Sequence, residues 1–189
     1  MTTAFLVSTL VVAIAEIGDK TQLLSLVLAA RFRKPPPIIA GILFATLANH
    51  ALAALLGEWV RAQFHPDTLR WVLGLSLLAI AGWALKPDKI DAEVKQVGRY
   101  GVFLLTFVVF FIAEIGDKTQ IATVVLAAQY QALVAVVLGT TLGMMIANVP
   151  AVLLGAAMAH RIPLRAVRIC AALLFAVLGA LALAGVTLP

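Results

Sequence analysis

The chain alternates between long apolar stretches and short polar breaks that contain proline, glycine and charged residues. Apolar runs of about 20 residues have the length that an α-helix needs to cross a bilayer. The pattern predicts six helices, at residues 4–30, 38–60, 68–85, 101–128, 132–158 and 165–186. The prolines at 35–37 end the first helix in this prediction, because proline cannot continue the backbone hydrogen bonds of a helix.

The composition is that of a membrane protein. Hydrophobic residues make up 63% of the chain and charged residues 12%, and the mean hydropathy is +1.07. Soluble domains have about 45–50% apolar and about 25% charged residues. A water-soluble globule is therefore excluded, and residues 1–189 are expected to form one all-α integral membrane domain. Cys170 is the single cysteine, so an internal disulfide is excluded as well.

An internal repeat divides the chain into two halves. Residues 14–30 and 112–128 are identical at 13 of 17 positions, including the unbroken run IAEIGDKTQ. The first repeat covers residues 1–86 with helices 1–3, and the second covers 101–189 with helices 4–6. Residues 87–100 form a polar linker between them. An odd number of spans per repeat makes the second half enter from the opposite side, which predicts a 3+3 inverted-topology repeat with the substrate site near the midplane.

Basic residues in the connections predict the orientation. The connections after helices one, three and five hold ten of them: Arg31, Arg33, Lys34, Lys86, Lys89, Lys95, Arg99, Arg161, Arg165 and Arg168. The opposite side has only Arg61 and Arg70, while Lys20 and Lys118 belong to the repeated motif. The positive-inside rule places the first side, with the linker, in the cytoplasm and both termini on the non-cytoplasmic side. This excess of basic residues on one side accounts for the net charge of +5, so we expect no nucleic-acid partner. The expected surroundings of the chain are the lipid bilayer.

Four carboxylates lie inside apolar helices: Glu16, Asp19, Glu114 and Asp117. Charged residues are costly in a bilayer and normally face a cavity. Glu16 lies about 18 Å into its helix, which is near the midplane. A glutamate and an aspartate three residues apart share a helical face. Each repeat is therefore expected to present one pair, and inverted symmetry brings the two pairs together.

Such a cluster suits a hard divalent cation with oxygen ligands, such as Mn²⁺, Ca²⁺ or Mg²⁺. Neither motif contains the cysteine or histidine ligands typical of zinc. Lys20 and Lys118 are expected to balance part of the negative charge. The candidate auxiliary ligands are the neutral side chains Thr21, Gln22, Thr119, Gln120, Asn49 and Asn148.

Structural roles are the alternative for these residues. The carboxylates and lysines could form ion pairs that staple the helices. Asn49, Asn148 and His50 could make hydrogen bonds between helices, and Met144 could simply pack there.

Several classes of function compete at this point. A cation/proton exchanger fits best, because carboxylates that release a metal can take up protons. An exporter of a cationic amino acid is the alternative, although one ammonium group needs fewer carboxylates. A passive channel is another. A membrane-embedded enzyme is disfavoured, because no nucleophile or phosphate-binding group accompanies the acids. We predict no catalytic residue.

The twin motifs Glu16–Thr21 and Glu114–Thr119 resemble the signature Glu-x-Gly-Asp-Lys/Arg-Thr/Ser. This signature is typical of a family of small divalent-cation/proton exchangers that includes Golgi manganese/calcium transporters and bacterial manganese exporters. The family is grouped with the lysine-exporter superfamily. The resemblance covers essentially the whole chain, and neither motif departs from the signature.

The resemblance implies export of Mn²⁺, or next Ca²⁺, from the cytosol against protons, with the acidic motif residues as the cation site. The metal is then the transported substrate, and no cofactor is expected. We expect a multi-pass protein of the bacterial inner membrane, because no additional N-terminal targeting helix precedes the first repeat. The sequence is compatible with a homo-oligomer.

Overall fold

A computed structural model describes residues 1–86, 101–154 and 164–186, and all the regular structure in these ranges is helical. The described residues form eight helices: α1 (Thr2–Glu16), α2 (Lys20–Phe32), α3 (Pro35–Gln63), α4 (Pro66–Ala84), α5 (Gly101–Glu114), α6 (Lys118–Tyr130), α7 (Leu133–Leu154) and α8 (Leu164–Leu183). The predicted linker 87–100 and the predicted end of the fifth helix at 155–158 lie outside the described residues.

The prediction of single helices at 4–30 and 101–128 is wrong. Each is interrupted at its motif, giving α1 and α2 in the first repeat and α5 and α6 in the second. The axes of α1 and α2 differ by 69°. Apolar residues continue on both sides of each break, so the hydrophobic pattern alone predicted one continuous helix in each repeat.

Proline marks helix starts here. Pro35–Pro37 form the first turn of α3, and Pro66 opens α4. The first turn of a helix has backbone N–H groups without intrahelical partners, so proline is tolerated there. The other predicted helix ends agree with the structure to within a few residues.

The helices pack across the two repeats. Helices α1 and α2 of the first repeat lie against α7 of the second, while α5 and α6 of the second lie against α3 of the first. Gly41 and Gly139, which are equivalent in the repeat, allow these close approaches. An added Cβ at Gly41 would lie 2.7 Å from Thr106 Cβ on α5, and one at Gly139 would lie 2.5 Å from the Phe5 carbonyl oxygen on α1. Helices α4 and α8 pack on each other.

By length and composition, three helices among the described residues could cross a membrane: Pro35–Gln63, Leu133–Leu154 and Arg165–Leu183. The bent pair α1 and α2 gives a fourth if it is counted as one span. Large apolar side chains such as Leu10, Leu52, Trp59, Leu138 and Leu173 are more than half exposed. An exposed surface of this kind is typical of a protein surrounded by lipid, and the chain is an all-α integral membrane protein.

Candidate cation-binding site

The first motif breaks the chain at a glycine. Helix α1 ends at Glu16, Gly18 has φ +80°, and Asp19 is extended and precedes the first turn of α2. A positive φ is readily adopted by glycine and disfavoured for other residues. The N–H of Gly18 donates to Gln22 Oε1 at 2.8 Å, and the N–H of Asp19 donates to the Glu16 carbonyl at 3.0 Å. Because Glu16 and Asp19 flank a break, the prediction that they share one helical face is wrong.

The second motif repeats this geometry closely. Gly116 has φ +73°. Its N–H donates to Gln120 Oε1 at 2.7 Å, and the N–H of Asp117 donates to the Glu114 carbonyl at 3.1 Å. The equal sequences of the two motifs thus give equal local structures. Both aspartates stand at helix N-termini, where the helix dipole favours negative charge.

The two breaks bring their carboxylates together. One oxygen each from Glu16, Asp19 and Asp117 lies within 4.8 Å of the other two, and all three side chains are buried. Neither oxygen of Glu16 has a hydrogen-bond partner among the described residues. Three carboxylates at this spacing can share one metal ion.

Glu114 lies at the edge of this group. Its charge acts on Glu16, but it is not one of the three mutually close carboxylates. The Thr119 hydroxyl lies 3.3 Å from Glu114 Oε2 and 3.2 Å from Asp117 Oδ2, so it can donate to either carboxylate. His50 Nε2 lies 3.9 Å from Glu114 Oε2. Glu114 Oε2 therefore has a hydroxyl group and an imidazole ring as neighbours.

The two lysines pair across the repeats. Lys20 Nζ lies 3.1 Å from Asp117 Oδ1, and Lys118 forms the equivalent ion pair with Asp19. The Lys20 side chain is 28% exposed and that of Lys118 is 4% exposed. Each motif lysine is thus paired with the aspartate of the other repeat, and the two pairs are reciprocal. Four carboxylates and two ammonium groups leave two negative charges, which equals the charge that one divalent cation would neutralise.

Four of the six auxiliary candidates are engaged elsewhere. Gln22 Nε2 donates to the Ala147 carbonyl at 2.9 Å, and Gln120 Nε2 donates to Asn49 Oδ1. Asn49 Nδ2 in turn donates to the Phe111 carbonyl at 3.1 Å. Both ends of each glutamine are therefore used, one at the glycine of its own motif and one on a helix of the other repeat.

Asn148 on α7 also forms a hydrogen bond between helices of the two repeats. Its Oδ1 accepts from Ser25 at 2.7 Å, and its Nδ2 lies 3.0 Å from the Met144 carbonyl and 2.9 Å from Met144 Sδ. The same side chain lies near the Glu16 carboxyl group. The hydrogen bonds between helices that were the alternative for Asn49 and Asn148 are present.

The threonines differ from each other. The Thr21 hydroxyl is buried and has no hydrogen-bond partner among the described residues, whereas the Thr119 hydroxyl faces two carboxylates. Of the two motif threonines, Thr21 is thus the one whose hydroxyl lacks a protein partner in the described ranges.

Arg168 is a neighbour of the site, although the sequence pattern places it only among the basic residues that follow the fifth helix. It lines a cavity of about 10 Å³ together with Gly18, Asp19 and Lys118. It also lines a more open cavity of about 320 Å³ with Arg165 and Leu85. No local motif surrounds Arg168, so the fold was needed to find it beside the acids.

Comparison with known proteins defines the class. The family model described as "Divalent cation/proton antiporter GDT1" matches residues 4–92 and 102–188. The chain belongs to the GDT1 family of divalent cation/proton antiporters. It is accordingly a membrane transporter and not an enzyme, and the metal ion is the substrate of the family and not a cofactor.

Individual relatives agree with this assignment. The chain is 58% identical over 170 residues to the "Putative manganese exporter" of Vibrio cholerae serotype O1, which covers 89% of this chain and 84% of the relative. It is 32% identical over 195 residues to the GDT1-like protein sll0615 of Synechocystis sp., covering 93% and 94% of the two chains. It is 32% identical over 199 residues to GDT1-like protein 4 of Oryza sativa subsp. indica, covering 91% and 70%. No solved structure matches the chain.

Proposed function

We propose that this protein exports a divalent cation from the cytoplasm in exchange for protons, with Mn²⁺ as the first candidate substrate and Ca²⁺ as the second. The observation that carries the proposal is the buried group of Glu16, Asp19 and Asp117, whose oxygens lie within 4.8 Å of one another. Glu114 completes the charge of the site. The name of the Vibrio cholerae relative supports manganese as the substrate.

The ligand set suits a hard cation. Carboxylate oxygens bind Mn²⁺ and Ca²⁺ well, and the buried Thr21 hydroxyl offers a neutral oxygen. In the arrangement described, Lys20 and Lys118 hold the aspartates. A bound cation competes with these ammonium groups, so we propose that the lysines move away when the metal binds and return when it leaves.

Proton exchange follows from the same charges. Without metal, four acids in a dry site cannot all remain ionised, and the lysines balance two of them. About two protons would then bind as the metal leaves. Protons entering from the outside would drive the metal outward, since each carboxylate ligates only in its charged form.

The proposed architecture is six spans arranged as a 3+3 inverted repeat, residues 1–86 and 101–189, in the bacterial inner membrane. The matched breaks at Gly18 and Gly116 and the exchange of packing partners between repeats support it. We propose that residues 87–100 face the cytoplasm and that both termini face outward. Alternating access would then consist of one repeat's broken helix moving against the other's.

Metal flux in proteoliposomes under an imposed pH gradient tests the proposal. We expect uphill Mn²⁺ movement that is coupled to proton movement in the opposite direction, a smaller Ca²⁺ flux, and none with lysine as the substrate. Flux of Mn²⁺ that only follows its own gradient and ignores pH would indicate a channel. Lysine flux without metal flux would indicate the amino-acid exporter.

A further inference from the structure

A further cavity lies at the end of the molecule where α3 joins α4. Its volume is about 420 Å³, and residues of α3, α4, α6 and α8 line it. Gln129, which borders it on α6, is about 16 Å along that helix from the motif lysine Lys118. We call this cavity the arginine pocket, because Arg61 and Arg70 both line it.

Each of the two arginines has an unpartnered Nε in the described part of the chain. The Nε atoms of Arg61 and Arg70 are buried and have no hydrogen-bond partner among the described residues. Asp67 lines the same pocket, yet neither arginine forms an ion pair with it or with another acid in the described part of the chain. A buried N–H without an acceptor is unfavourable, and a charged one more so. A ligand that brings acceptor oxygens into the pocket would give both guanidinium groups a partner.

The sequence makes this convergence unusual. Ten of the basic residues lie in the other set of connections, while Arg61 and Arg70 are the two on this side. Both line one pocket although nine positions separate them in the chain. Arg61 lies in the last turn of α3, where the helix dipole favours a positive charge. The helix dipole explains the positive charge of Arg61, but it explains neither the cavity nor the presence of Arg70 in it.

We propose that the arginine pocket binds a phosphate group, carried by an anionic phospholipid or present as free phosphate. A guanidinium presents paired N–H donors whose spacing matches two phosphate oxygens. Gln129 and Gln131 place amide groups at the same cavity. Phe64 and Leu73 add apolar walls, which suit the glycerol and acyl portion of a lipid. This site is independent of the cation site and of the transport proposal.

The test uses the full-length purified protein and the double substitution Arg61→Gln/Arg70→Gln. Binding of phosphatidylglycerol and of phosphatidylcholine is measured by native mass spectrometry and by the shift in unfolding temperature. Inorganic phosphate is tested in parallel. The matched control is Arg33→Gln/Lys34→Gln, which removes two exposed charges elsewhere. We expect phosphatidylglycerol affinity to fall about tenfold in the pocket variant and to stay unchanged in the control.

The parallel measurements with phosphatidylglycerol and with inorganic phosphate distinguish the two sources of the phosphate group. Stabilisation by phosphatidylglycerol alone identifies a lipid site, and stabilisation by inorganic phosphate alone identifies a site for the free anion. If the double glutamine variant does not fold, Arg61→Lys/Arg70→Lys keeps the charge and loses the paired donors, and weaker binding is again expected. Equal binding by wild type and the folded pocket variant overturns the proposal, as does an equal loss in the control.

Discussion

Lys20 Nζ lies 3.1 Å from Asp117 Oδ1, so the lysine of one motif neutralises the aspartate of the other. Lys118 and Asp19 form the reciprocal pair, and it is much the more buried of the two. These two pairs connect the broken helices of the repeats at the point where the cation is proposed to bind. Any movement of one repeat against the other changes both.

The two lysines are expected to differ when each is replaced by methionine. Lys118→Met removes the buried ammonium group that pairs with Asp19, and removal of one member of a buried pair costs about 3–5 kcal/mol. Lys20→Met is expected to cost less, because the Lys20 side chain is 28% exposed. Thermal unfolding in detergent measures the difference. Added Mn²⁺ should restore much of the loss in Lys118→Met, and a larger loss in Lys20→Met would contradict the assignment.

Glu16→Gln and Glu114→Gln are each expected to reduce Mn²⁺ flux by about 100-fold or more while the protein still inserts. Each removes a charge from the site and keeps nearly the same shape, and a tenfold loss corresponds to about 1.4 kcal/mol. Flux into proteoliposomes is the measurement. Glu58→Gln, which changes a partly exposed glutamate on α3, is the control. Near-normal flux in both motif variants would refute a shared central site.

Metal affinity is expected to fall steeply as pH decreases. Protons and the cation compete for the same carboxylates, and more than one proton is displaced, so the titration belongs to the whole cluster. Calorimetric titration with Mn²⁺ between about pH 5 and 8, in buffers of different ionisation enthalpy, gives the number of protons released. Binding that is independent of pH and releases no protons would favour a uniporter.

Gln22→Met is expected to destabilise the fold by about 1–3 kcal/mol while leaving Mn²⁺ affinity nearly unchanged. The substitution removes the bond from Gly18 N–H and the bond to the Ala147 carbonyl, and both are structural. Unfolding temperature and Mn²⁺ titration separate the two effects. Gln63→Met, at an exposed position, is the control. A large loss of affinity without loss of stability would instead make Gln22 a ligand.

Arg168→Gln is expected to tighten Mn²⁺ binding by a few fold, because it removes a positive charge from the cavity beside Asp19. Arg165→Gln is the matched control, since Arg165 lines only the larger cavity and is exposed. Titration of both variants at the same ionic strength gives the comparison. Equal affinities in the two variants would show that Arg168 does not act on the site.

The residue types of the candidate site could be predicted from the sequence, but much of their arrangement in space could not. Four carboxylates and two lysines in duplicated motifs predicted an acidic cluster, and the structure brings three of those acids within 4.8 Å. The helix breaks were missed because a single glycine is also tolerated inside a helix, and only the structure shows the positive φ of Gly18 and Gly116. The roles of Gln22 and Gln120 depend on which helix lies opposite, which no local pattern encodes.

The exchange of packing partners also sets an order for biosynthesis. Helix α3 is covered mainly by α5 and α6, and α7 mainly by α1 and α2, so each long helix is buried chiefly by the other repeat. When the ribosome has released only the first half, α5 and α6 have not yet been made, and the α3 surface that includes Gly41 is still uncovered. The first half must therefore remain in the bilayer, inserted but unfinished, until the second half arrives. Maturation of this transporter thus ends with its last helices, and a chain truncated between the repeats would leave that surface open to lipid, to insertion chaperones or to degradation.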